Sequence, residues 1–208
     1  MHVESLSEKV QTGLELVAQT PLAAEFYLAG GTAVALHLGH RRSYDLDFFA
    51  PKPFAQDEPR RVLSPMGRLT VEQESEGTFL GVLDDVRVSF FVYPYALLAA
   101  PLPFAGIQVA ALEDLAVMKL DAIAGRGKKR DFFDLYFMCR DFKPLGEMLT
   151  LVERKYEGVT YNFVHLLKSL MYFDDAEADP PLEMLRPASW ADVRRYFEQQ
   201  AEALFREL

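Results

Sequence analysis

The chain has one cysteine, Cys139, and one tryptophan among its 208 residues. A single thiol cannot close an internal disulfide, which fits a reducing, cytoplasmic setting. Its neighbours Phe137, Met138 and Phe142 predict a buried, unreactive thiol. No apolar run approaches the roughly 20 residues needed to cross a bilayer, so no membrane partner is expected. The opening Met1-His2-Val3-Glu4-Ser5 lacks the basic region and apolar block of a secretory signal. There are four histidines, and only His37 and His40 lie close together, without the further Cys or His ligands of a zinc site. Positive charge is also short: 22 Lys and Arg against 31 Asp and Glu give a net charge of −9. That balance argues against a general nucleic-acid coat. The charge is unevenly spread, with nine acids and four bases in residues 174–208, whereas Arg126-Gly127-Lys128-Lys129-Arg130 is locally basic. An acidic tail beside a basic patch still permits a phosphate-rich ligand.

What is present is an ordinary globular balance, 50% hydrophobic and 25% charged. The length suits one domain with a sizeable core, or two small lobes sharing one. Apolar residues at Leu6, Val10, Leu14, Leu16 and Val17 predict a first helix capped by Ser5 or Ser7. Phe26-Tyr27-Leu28-Ala29 reads as a short buried strand, residues 32–39 as a helix ending near Gly39, and Leu46-Phe48-Phe49 as a second strand stopped by Pro51 and Pro53. A helix is expected over 57–63. Strands follow over 69–74, 78–83 and 86–93, the last two joined at Asp84-Asp85, and again at Ile107-Gln108-Val109. Beyond residue 111 the pattern is helical, broken near Gly125-Arg126-Gly127, at Pro144 and over 174–187. The fold class expected is α+β: a mixed sheet with flanking helices over 1–110, and a helical region over 111–208 that completes the site.

The strongest local signal is Gly30-Gly31-Thr32 followed by Asp45-Leu46-Asp47. In a strand, residues i and i+2 share a face, so Asp45 and Asp47 project together while Leu46 enters the core. Two carboxylates this close repel unless a cation sits between them. Mg²⁺ takes such oxygen ligands and completes its shell with water and phosphate. A Gly-Gly turn lets backbone N–H groups approach an anion, and a helix start adds a favourable dipole. Thr32 is a candidate cap or phosphate ligand. Arg41 and Arg42 could touch phosphates, or be solvated at a helix end. Later, Lys119, Ala122 and Arg126 fall on one helix face, and Asp131 and Asp134 on the next. Arg126, Lys129 and Arg130 could neutralise a triphosphate, while an inter-helix ion network accounts equally well for these charges.

These residues carry a resemblance. Gly30-Gly31-Thr32-Ala33, Leu36-His37-Leu38-Gly39-His40-Arg41-Arg42-Ser43 and Asp45-Leu46-Asp47-Phe48-Phe49 closely resemble the AbiEii/AbiGii toxin family, within the DNA polymerase β-like nucleotidyltransferase superfamily. So does a second block, Lys119-Leu120-Asp121-Ala122-Ile123-Ala124 with Arg126, Lys129, Asp131 and Asp134-Leu135. The resemblance implies a nucleotidyltransferase that moves a nucleotide from an NTP to an RNA (for example tRNA) or protein acceptor. It also implies the toxin of a toxin–antitoxin or phage-defence pair, with a cognate antitoxin as partner. Asp45 and Asp47 would hold Mg²⁺ or Mn²⁺; Gly30, Gly31 and Thr32, with Arg42 and Ser43, would seat the nucleotide. Lys119, Arg126 and Lys129 would stabilise triphosphate charge, and Asp131 or Asp134 would activate the acceptor or complete the metal shell. One position departs from the superfamily: a later strand often supplies a third carboxylate, and here Ser89 stands there. Serine is a neutral ligand and no general base unaided. The alternative is therefore a nucleotide-binding module that has lost catalysis.

Overall fold

The structure, a computed structural model, describes residues 1–206. Ser7 caps α1 (Glu8–Ala18) by accepting the Val10 N–H at 3.4 Å, and α1 buries Val10, Leu14 and Val17. A single-turn helix, α2 (Leu22–Glu25), leads into β1 (Tyr27–Ala29), and α3 (Gly30–Leu38) starts at once. Gly39 ends α3 in the left-handed conformation at φ +61. Then follow β2 (Asp45–Ala50), α4 (Glu58–Leu63), β3 (Leu69–Ser75), β4 (Thr78–Leu83) and β5 (Val86–Val92). The β4–β5 loop is Asp84-Asp85, both at positive φ (46° and 71°), as a tight type I′ hairpin requires.

Two short strands, β6 (Leu102–Phe104) and β7 (Ile107–Val109), precede the helices. The sequence pattern announces β7 but not β6, whose Pro103 suits only an edge. The helical half comprises α5 (Leu112–Gly125), α6 (Lys129–Asp141), α7 (Leu145–Lys155), α8 (Phe163–Ser169), the short α9 (Asp174–Glu177) and α10 (Trp190–Phe205). The helix expected to run to residue 208 can be followed to Phe205, and residues 207 and 208 lie outside the described residues.

The seven strands form one mixed sheet in the order β3-β4-β5-β2-β1-β7-β6. β2 runs antiparallel to β1 and parallel to β5, with Asp47 opposite Ala29 on one side and Ser89 on the other. Along β2, Leu46, Phe48 and Ala50 are buried, while Asp45, Asp47 and Phe49 share the other, partly open face. One buried apolar cluster runs from Leu6 through Phe48 and Phe90 to Phe137 and Phe197, so it draws on both the strand-rich and the helical half. A buried pair, Lys155 Nζ to Asp114 Oδ1 at 2.6 Å, ties α7 to α5. Asp114 also accepts the Leu98 N–H at 3.0 Å, which pins the loop after β5. Burial pushes the Cys139 thiol up to about 12, so it is protonated at neutral pH.

Candidate active site

The open face of β2 forms the floor of a cleft of about 770 Å³, walled by the start of α3, by α5 and α6, and by residues 180–183. Its lining brings Gly30, Gly31, Asp45 and Asp47 together with Lys119, Arg130 and Asp131. It also holds apolar side chains: Phe49 and Phe91 (ring centroids 5.2 Å apart), and Leu115, Met118 and Ala122 on α5. The lining carries six basic side chains (Arg41, Arg42, Arg87, Lys119, Arg126, Arg130) against five acidic ones (Asp45, Asp47, Glu72, Asp131, Glu183), on a protein of net charge −9.

Glycine is required twice at the head of this cleft. Gly30 has φ +63, and a Cβ there would lie 2.6 Å from Asp47 Oδ2; on Gly31 it would lie 2.5 Å from Arg41 Nη2. Gly30→Ala should therefore destabilise the protein by roughly 1–3 kcal/mol, read as a lower denaturation midpoint, and should disturb Asp47 directly.

Burial, and then the neighbouring Asp45 charge, push the Asp47 carboxyl above its usual range; a Ser89 hydrogen bond and the charges of Lys119 and Arg130 oppose the shift. Asp45 is half open and lies 3.4 Å from Arg130 Nη1. Beneath the acids sits a buried ionic hub around Asp134, which is 0% exposed. Arg41 donates to both its oxygens (Nε at 2.7 Å, Nη2 at 2.9 Å), Lys119 Nζ lies 2.6 Å from Oδ2, and His40 Nε2 donates to Oδ1 at 2.8 Å. Burial opposes the Asp134 charge, yet Arg41, Lys119 and His40 hold its carboxyl well below the usual range. Burial likewise opposes the Lys119 charge, but Asp131 and Asp134 prevail and raise it. Burial keeps His40 neutral. The Lys119 ammonium reaches Asp131 Oδ1 at 2.7 Å; the other oxygen, Oδ2, is buried without a hydrogen-bond partner among the described residues.

Nine of the twelve residues singled out from the sequence line the cleft: Gly30, Gly31, Arg42, Ser43, Asp45, Asp47, Lys119, Arg126 and Asp131. Three, Thr32, Lys129 and Asp134, do not line it. The buried Thr32 hydroxyl donates to the Asp45 carbonyl and lies 2.8 Å from the Ser43 hydroxyl, so it ties α3 to β2 rather than seating a phosphate. Lys129 Nζ donates to the Asp179 carbonyl at 2.6 Å and anchors the loop ahead of the cleft wall. Both Asp134 oxygens are taken by Arg41, Lys119 and His40 within the hub. His37 and His40 go to separate partners, the Ala110 carbonyl and Asp134, and not to a shared metal.

Sequence reasoning missed Glu183, whose carboxylate takes Arg42 Nε at 2.7 Å and the Tyr44 hydroxyl. It also missed Glu72, brought to the cleft at a register shift of β3, where it pairs with Arg87 at 3.3 Å. No local pattern marks either residue.

The sequence model described as "Nucleotidyl transferase AbiEii toxin, Type IV TA system" matches residues 14–97 and 81–207. The chain belongs to the AbiEii nucleotidyltransferase toxin family. A relative from Aquifex aeolicus (strain VF5), an uncharacterised protein, is 36% identical over 205 residues, spanning 96% of this chain and 98% of its own. Among solved structures, JHP933 from Helicobacter pylori aligns with a TM-score of 0.55 at 18% identity, over 98% of this chain and 94% of that one. MenT4, a nucleotidyltransferase toxin from Mycobacterium tuberculosis H37Rv, gives 0.55 at 17% identity, over 98% and 87%. At that identity these likenesses establish the shared fold. No helix of the described residues is long and apolar enough to cross a membrane.

The donor set suits a hard cation. Among the described residues no three His, Cys, Asp or Glu side chains converge as a ready-made metal cage. Asp45 and Asp47 supply two carboxylates, and burial, then the Asp45 charge, raises the Asp47 pKa. Mg²⁺ commonly takes one or two carboxylates and draws the rest of its shell from water and phosphate.

Proposed function

We propose that this AbiEii-family chain is a metal-dependent nucleotidyltransferase that moves a nucleotide from an NTP to a hydroxyl of an RNA, such as tRNA, or of a protein, as the toxin of a toxin–antitoxin or phage-defence pair. The observation that carries this reading is the meeting of Asp45 and Asp47 with Lys119, Arg130 and Asp131 in one cleft beside the Gly30-Gly31 turn. Asp45 and Asp47 would hold one Mg²⁺ or Mn²⁺. Bound there, the cation would offset phosphate charge and orient the triphosphate. Two carboxylates and the Ser89 hydroxyl form a donor set too small for a pair of metals.

The chain's own groups do the rest. The Gly30 and Gly31 backbone, at the positive end of α3, and Ser43 cradle the phosphates. Lys119, held charged by Asp131 and Asp134, and Arg126 at the rim neutralise the developing negative charge. The apolar lining takes the nucleoside, and a cleft of about 770 Å³ has room for one. An acceptor oxygen attacks the α-phosphorus; a new O–P bond forms and the bond to the bridging oxygen breaks. Pyrophosphate leaves with that oxygen, and the acceptor proton passes to Asp131 Oδ2, which has no hydrogen-bond partner among the described residues and lies 3.9 Å from Arg126 Nε.

The test is incubation with each α-³²P-labelled NTP, Mg²⁺ or Mn²⁺, and total host RNA and protein. Label should enter a macromolecular band with wild type, and Asp131→Asn should slow it by roughly 10²–10⁴-fold while NTP still binds. A second reading rests on Ser89 standing opposite Asp47: the cleft binds nucleotide without turning it over. NTP binding by calorimetry with no transfer to any acceptor pool would favour it, and no binding of any NTP would sink both.

A further inference from the structure

Arg130 breaks a local rule. It sits in the first turn of α6, where the helix dipole disfavours cations. Its neighbours at that end are committed elsewhere: the Lys129 backbone N–H donates to Asp179 Oδ2 at 2.8 Å, and Lys128 Nζ lies 3.4 Å from Oδ1. Lys119 and Arg41, deeper in the cleft, are locked onto buried Asp134. Arg130 is different. It is 45% exposed, lines the cleft, and reaches Asp45 Oδ2 only at 3.4 Å. A long, half-solvated pair of this kind is weak and easily exchanged. It nevertheless sits on Asp45, one of two neighbouring carboxylates that repel each other, and its charge, like that of Lys119, also reaches Asp47.

We infer that Arg130 is a displaceable counter-charge: it covers Asp45 in the empty cleft, yields that carboxylate to the incoming divalent cation, and swings its guanidinium onto the triphosphate. This rests on the proposed metal site at Asp45 and Asp47. The consequence is two effects of opposite sign. Without nucleotide, Arg130 competes with the cation, and with triphosphate present it helps hold the complex. Metal and triphosphate therefore bind more tightly together than apart.

The test is calorimetric titration of Mn²⁺ into nucleotide-free protein, and of Mn²⁺–tripolyphosphate into the same protein. Arg130→Ala should bind Mn²⁺ alone roughly threefold more tightly, the scale of a lost exposed ion pair. It should bind Mn²⁺–tripolyphosphate about tenfold more weakly, the scale of a lost charge-assisted hydrogen bond. Arg130→Lys, which keeps the charge, should stay near wild type for Mn²⁺ alone. If Arg130→Ala leaves Mn²⁺ binding unchanged or weakens it, the counter-charge role is wrong although the metal site stands. If folded wild type binds no Mn²⁺ with or without tripolyphosphate, the metal reading itself fails, and this inference with it.

Discussion

Asp134→Ala is expected to destabilise the protein by about 3–5 kcal/mol, the cost of leaving buried charges without their partner. The side chain that disappears satisfies Arg41 through two hydrogen bonds, Lys119 and His40, all in a region closed to water. At this chain length a loss of that size lowers the melting temperature by roughly 10 °C or more. The effect has a pH signature. The folded-state carboxyl is held well below its usual range. Its stabilising contribution is therefore complete above the ordinary carboxylate pKa and is lost as pH falls towards the depressed folded value. Wild type should lose stability progressively on acidification, and Asp134→Ala should lose that part of the dependence. Thermal unfolding of both proteins between pH 7 and pH 3 measures it; a variant with wild-type stability at pH 7 would show that the hub is not structural.

The second large effect is on chemistry and runs opposite to the effect on stability. Asp45→Asn with Asp47→Asn should lower nucleotidyl transfer by at least about 10²-fold, the loss typical when one electrostatic stabiliser of a transition state is removed. The metal-free protein should at the same time become more stable at neutral pH. The folded Asp47 carboxyl binds its proton more readily than the unfolded one. That group favours folding at low pH, and the advantage disappears as pH rises through the elevated folded value, so at pH 7 the buried Asp47 charge strains the fold. The neutral amides remove the strain. Labelled-NTP transfer and a thermal melt on one preparation test both arms. Unchanged transfer would overturn the assignment of the metal site, and a less stable double variant would show that burial and the neighbouring acid do not penalise the Asp47 charge in the folded state.

Much of this protein is determined by sequence because the governing interactions are local. The period-2 pattern of Asp45-Leu46-Asp47-Phe48 dictates that both acids share a face whatever lies around them. Asp84-Asp85 closes a hairpin because short polar side chains tolerate positive φ. Gly39 ends α3, and Gly125 to Gly127 separate α5 from α6, for similarly local reasons. Gly30 is local in its φ, but the approach of its α-carbon to Asp47 is not.

What the tertiary structure decided is which charges face the cleft and which are spent inside. Asp131 and Asp134 look equivalent along one helix. Yet Asp134 is sealed by Arg41 and His40 from the turn after α3, more than 90 residues away in sequence, while Asp131, at the cleft wall, keeps an oxygen with no hydrogen-bond partner among the described residues and only Arg126 Nε at 3.9 Å. Lys129 and Arg130 are neighbours in the chain, but the first anchors the loop at Asp179 and the second reaches Asp45. Glu183 enters the site only because its loop pairs with the 40–42 segment. A charged side chain's role depends on the partner that meets it and on the water it loses. Both are set by packing between segments distant in the chain, and no local pattern of residues records them.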